Sequence, residues 1–179
     1  MKQLPLPFPP DTIDFIITQD GKFAGTYTVK IDWIDRDLLQ YNWRINMSNN
    51  RYGAGKPYAY GRIGRKSQSL HRFILERKLE IEFESGMLLW SDHADMDTLN
   101  NTRDNLRAAT PSQNIFNQGL RSHNTSGYTG VRKEGSRWLA YIGTGGKTIR
   151  LGTYETKDEA VTVRREAEIK YYGEFAKVA

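Results

Sequence analysis

The sequence predicts an α+β fold. Three observations predict it: stretches of alternating apolar and polar residues rich in β-branched and aromatic side chains, helical segments opened by a Thr-x-x-Gln or Thr-x-x-Glu capping pattern, and three consecutive β-like runs that lead into a single C-terminal helix. At 179 residues the chain can bury a core in one domain or in several small modules. Its 12% aromatic and 38% hydrophobic content predicts order nearly throughout.

Residues 12 to 31 read as a hairpin, because "TIDFIIT" and "KFAGTYTVKI" alternate and Asp20-Gly21 supplies the positive φ of a tight turn. "DWIDRDLLQY" changes to helical spacing, with Asp32 as N-cap, Asp35 in the first turn, and Ile34, Leu38 and Leu39 on one face. Trp43, Ile45, Tyr58, Tyr60 and Ile63 mark another pair of strands around "NMSNNRYGAGKP". "SLHRFILERKL" is a core helix, with Leu70, Phe73 and Ile74 at helical spacing.

The apolar run "MLLWSDH" fits a buried strand that delivers its last residues to a site. "NLRAAT" is short and extended, and "TPSQNIFNQ" opens a helix with Thr110 as cap, Pro111 at the first position and Gln113 completing a capping box. "GLRSHNTSG" has the polar, Gly-bounded composition of a linker. "YTGVRKE", "RWLAYIG" and "TIRLGTYE" are strands, and "TKDEAVTVRREAEIKYYG" is a helix capped by Thr156 and Glu159 and ended by Gly173.

There is no cysteine, so any metal must be held by oxygen or imidazole, which favours magnesium-type chemistry over structural zinc. "MKQLPLPFPP" lacks the apolar core of a signal peptide, and no stretch reaches the roughly 20 apolar residues of a membrane span. A soluble, cytoplasmic protein is expected. The net charge of +5 is unevenly spread: residues 119 to 179 hold eleven basic against seven acidic side chains, whereas residues 61 to 118 balance. A basic module suggests a polyanion as partner, with a merely solvated surface as the alternative.

"DHADMDTLNNTRDN" concentrates the candidate chemistry. It is not an EF-hand, since the sixth and twelfth positions from Asp92 are Asp97 and Arg103 where Gly and Glu are needed. An isolated Asp-His pair beside an Asn cluster would read as a loop of Asx-turns. Here Asn105 follows His93 by twelve residues and Asn114 follows Asn105 by nine, with "SLHRFIL" about twenty residues upstream. This pattern resembles the HNH endonucleases, in particular the H-N-N variants among phage and intron homing enzymes, whose "NLR-A-T--QN" is matched nearly residue for residue.

The resemblance implies a ββα-metal (His-Me finger) nuclease core. In it Asp92 and Asn114 would hold one divalent ion, most simply magnesium with manganese as the alternative. His93, pointing away from Asp92 along an extended backbone, would be the general base. Asn105 would support the loop structurally. His71, in "LHR", is read as packing or hydrogen bonding, with phosphate contact as the alternative; Arg107 is a second candidate for phosphate. Asp95 and Asp97 are read as turn formers. Some relatives carry a further His where this chain has Gln118, and His123 falls in the linker.

From "SGYTGVRKEG" to "YYGEFA" the chain also resembles the Apetala/ethylene-response-factor DNA-binding domain, sharing "GV", "RW-A-I", "LGTY-T-DEA" and "YG-FA". That resemblance implies a three-stranded antiparallel sheet packed on one helix, with one sheet face in the major groove. Arg132, Arg137, Trp138, Tyr141 and Arg150 would touch DNA, and Lys133 and Lys147 phosphates, with packing of Trp138 and Tyr141 onto the helix as the alternative. The expected organisation is a β-rich hairpin and helix segment over 1–60, the nuclease core over 61–118, a linker over 119–126 and the DNA-binding domain over 127–179.

The function these resemblances imply is a site-specific DNA endonuclease of the homing type, acting on double-stranded DNA as a monomer or weak dimer and nicking one strand per active site. If phage-encoded, it would work in the host cytoplasm. The alternative is a DNA-binding regulator on the same scaffold that does not cut.

Overall fold

The computed structural model describes residues 10–48, 55–83, 87, 89–116, 120 and 124–176. They divide into two compact units, one reaching to Ala108 and the other running from Ala109 onward. Small antiparallel sheets and a few helices make an α+β architecture.

In the first unit β1 (Thr12–Gln19) and β2 (Gly25–Asp32) pair antiparallel, with Phe15 opposite Val29 and Ile17 opposite Tyr27. The expected tight turn at Asp20-Gly21 is wider. A 3-10 turn, Gly21–Phe23, joins the strands, so Lys22 and Phe23 are withdrawn from β2. The next segment is a 3-10 helix, Trp33–Gln40. Its period of three buries Asp35 and Leu38 together, and leaves Ile34 and Leu39 exposed where an α-helix would have aligned them with Leu38. Asp32 makes no capping bond there; its Oδ2 accepts the backbone N–H of Arg103.

Strands β3 (Trp43–Met47), β4 (Pro57–Ile63) and β5 (Lys66–Ser69) form a meander in that order. The Trp43 ring lies over its cross-strand partner Gly61, where a Cβ would come within 2.5 Å of the ring. Helix α1 (Leu70–Leu79) follows directly and buries Leu70, Phe73, Ile74 and Leu75. Beyond it β6 (Trp90–His93) and β7 (Leu106–Ala109) pair as a two-stranded sheet. Within the expected buried strand over "MLLWSDH", Trp90–His93 is strand, with Trp90 exposed and Asp92 and His93 buried. Val29, Ile31, Leu38, Ile45, Leu70, Ile74 and Leu106 share one core.

The second unit opens with α2 (Pro111–Phe116), where the expected capping box forms: Gln113 N–H donates to Thr110 Oγ1, and Thr110 N–H donates to Gln113 Oε1. Strands β8 (Val131–Glu134), β9 (Arg137–Thr144) and β10 (Lys147–Tyr154) make an antiparallel sheet with β9 central. Helix α3 (Lys157–Tyr172) carries the capping box of Thr156 and Glu159 and packs its Ala160, Val161 and Ala167 toward Val131, Ala140 and Ile142. The end of the expected linker is ordered by Asn124, whose Oδ1 accepts Gly127 N–H and whose Nδ2 donates to Tyr128 O. Gln118 and His123 lie outside the described residues.

Register and packing put three of the expected DNA contacts on the helix side of the sheet. Trp138 packs against Val131, Ala140, Ala160 and Val161, on the helix side of the sheet. Lys133 is its cross-strand partner and so shares that side, and Lys147 has the parity of Ile149, which packs inward. The alternation had defined two faces without saying which one α3 covers.

Candidate functional site

The site is built at the end of β6. One backbone step there sends two buried side chains to different partners: Asp92 meets Arg107 on β7, and His93 turns toward α1 and the loop 94–105. Arg107 Nε donates to Asp92 Oδ2 at 2.8 Å, so the cation expected on phosphate is engaged with the expected metal ligand. His93 Nε2 lies 3.2 Å from Asn101 Oδ1, and its ring stands edge-on to His71 at 5.0 Å with Tyr58 at 6.1 Å.

Burial disfavours the charged form of both imidazoles. Burial lowers the His93 pKa from its ordinary value, outweighing the hydrogen bond with Asn101 and the carboxylates of Asp95, Asp92 and Asp97. His71 is pushed down to about 3 by burial, by His93 and by Arg72, and its Nε2 lies 3.2 Å from Ser69 Oγ. The His71 ring packs against Tyr58 and His93, the packing role read for it from the sequence. Burial and the Asp92 charge raise the Tyr58 phenol.

The loop after His93 is held from every side. Asn105 Nδ2 donates to Asp95 Oδ1 and Asn100 O, and its Oδ1 accepts Asp95 N–H. Asp95 and Asp97 each close a turn by accepting the N–H two residues on. Burial raises the Asp95 carboxyl, but hydrogen bonds from Asn100, Asp97 N–H and Asn105 bring it below its usual range. Lys78 of α1 donates to Arg103 O and Leu106 O, and Arg103 clasps the fully buried Asp35 through Nε and Nη2 at 2.8 and 2.9 Å. Among the described residues no three His, Cys, Asp or Glu side chains converge as a closed metal cage would require. The single buried carboxylate of Asp92 suits a hard cation that keeps most of its water shell.

Two relatives place the chain. It is 33% identical over 159 residues, 87% of its length and 76% of the relative's, to the uncharacterized HNH endonuclease L560 of Acanthamoeba polyphaga mimivirus. The chain belongs to the HNH endonuclease family. It is also 31% identical over 88 residues to Protein 3.8 of Escherichia phage T7, covering 48% of this chain and 72% of that one. No family profile matches the chain.

In this HNH family member the residues expected to act together are separated by unit. Asp92, His93, Asn105, His71 and Arg107 lie in the first, whereas Asn114 lies on α2 in the second, its N–H donating to Thr110 O. The sheet of the second unit presents Arg132, Arg137, Tyr141 and Arg150 on the face away from α3. Arg132 lies over the Tyr141 ring, Arg150 pairs with Glu134 at 2.6 Å and donates to Thr153 Oγ1, and Arg137 donates to Thr153 O. Sequence reasoning missed Asn101, Tyr58 and Asp35. The one available signal for Asn101 was its place just behind Leu99 in an Asn pair.

Proposed function

We propose that the protein is a DNA endonuclease of the homing type, hydrolysing one phosphodiester bond per active site with one divalent ion and His93 as general base. The observation that carries this reading is the Asp92-His93 pair: a buried carboxylate and a buried, neutral imidazole delivered side by side by β6, in a chain of the HNH family. The chain order β6, β7, α2 supports reading this region as a ββα-metal core.

His93 would accept the proton of the attacking water, and its burial serves this role by keeping the lone pair available at neutral pH. Asp92 would hold the metal. Asn114 would be its second ligand, as the resemblance to the HNH endonucleases implies. When bound, a magnesium ion supplies stabilisation of the charge that develops on phosphate and on the departing 3′ oxygen. Arg107 shares Asp92 and so sets the charge that the carboxylate offers. Asn105 holds the loop. Arg132, Arg137, Tyr141 and Arg150 would contact DNA as in an ethylene-response-factor-type domain, a reading supported by the three-stranded sheet and its single helix.

The test is cleavage of supercoiled plasmid in magnesium. Nicked circles are expected from the wild type and none in EDTA, with His93→Ala slower by about 10²- to 10⁴-fold. Wild type that binds DNA but never nicks it would instead establish the non-cutting regulator.

A further inference from the structure

Among the groups around His93 the least expected is Asn101, only 1% exposed. Its amide is oriented by its neighbours: Nδ2 donates to Leu99 O at 3.0 Å, which turns Oδ1 toward His93 Nε2 at 3.2 Å. A carboxamide oxygen has no proton and can only accept. A neutral imidazole meeting it must therefore carry its proton on Nε2 and its lone pair on Nδ1. The edge-on ring of His71 packs against the same imidazole.

Asn101 is itself anchored from outside the loop. Its N–H donates to Lys30 O at 2.8 Å, and Lys30 N–H donates to Leu99 O at 2.9 Å, so that β2 bridges to Asn100 as a short parallel pairing. The outer edge of the N-terminal hairpin thus carries the carboxamide that meets His93. Asn105 has a different task, since its amide bonds to groups within the loop.

We propose that Asn101 is a positioning residue that holds His93 in its Nε2–H tautomer and so assigns the base to Nδ1, with β2 as its anchor. This deepens the reading of His93 as general base and rests on it.

Two-bond ¹H–¹⁵N spectra of the ¹⁵N-labelled full chain report the tautomer directly, with the His93 signals assigned by their loss in His93→Gln. The wild type is expected to show Nε2–H. Folded Asn101→Ala is expected to show a mixture and to nick plasmid about 10- to 100-fold more slowly. An Nδ1–H tautomer in the wild type overturns the proposal without any variant, and so does a folded Asn101→Ala whose tautomer and nicking are both unchanged. A wild-type Nε2–H signal that Asn101→Ala scrambles, in a protein that cuts no DNA, supports Asn101 as the orienting group and sinks the nuclease reading instead.

Discussion

Asp35 is the most exacting single residue. It is fully buried, and its carboxylate receives two hydrogen bonds from Arg103 and a longer one, 3.5 Å, from Arg77. Removing one partner of such a pair leaves the other charge uncompensated, so Asp35→Ala is expected to lower stability by about 3–5 kcal/mol, read by urea denaturation. Gly130 is a second. Its φ is +75°, and a Cβ there would collide with Arg164 Nε and Tyr141 O. Gly130→Ala is expected to cost roughly 1 kcal/mol or more in the second unit's thermal transition. At this scale the sequence was legible where chemistry demands a residue type, as with Asp92 and His93. It was mute where geometry selects among equals: nothing in "LNN" says which amide turns inward, and an acid in the first turn of a helix reads as a dipole partner, as Asp35 did.

Elements are tied by groups that belong to none of them alone. Glu76 of α1 accepts from Gln68 and Lys66 of β5 and from Phe83 N–H beyond the helix. Burial raises its carboxyl, yet the bonds from Gln68, Phe83 N–H and Lys66 prevail and hold it below the ordinary value of 4.5. A carboxyl depressed in the folded state contributes its stability fully above its unfolded value and loses it as pH falls through the folded one. Melts between pH 7 and 3 should therefore show a smaller acid loss in Glu76→Gln than in the wild type, from a lower starting point. Strand β2 makes a similar tie through Lys30, whose N–H leaves the hairpin for Leu99 O. Lys30→Pro deletes that donor and is expected to reduce nicking more than DNA binding, as gel shifts and plasmid cleavage run side by side would reveal. Capping boxes at Thr110 and Thr156 made both helix starts readable. The 3-10 helix was not, because the same apolar residues suit a period of 3.6 until tertiary bonds to Asp32 and Asp35 settle it.

As a whole the molecule separates a charge-balanced unit bearing the Asp-His pair from a basic unit bearing an arginine-lined sheet face. Among the described residues no helix is long and apolar enough to cross a membrane. If the basic unit supplies most of the hold on DNA, affinity should fall steeply with salt. Replacing Arg132, Arg137 and Arg150 with Ala should then weaken binding and flatten the salt dependence by about one unit of slope for each phosphate left without its arginine. The expected boundary near residue 119 was drawn from a polar, glycine-bounded composition. The compact units part at Ala108, and Ala109 packs with Ile142, Ala167 and Phe175.

The fastening of residues 94–105 to β2 and to the acids Asp32 and Asp35 sets a lower bound on any trimmed version of this HNH family member. A fragment cut to start at α1 would keep every letter of the recognisable motif yet lose the props beneath it. The smallest portion that keeps this loop propped must reach back through the whole leading hairpin, to Thr12.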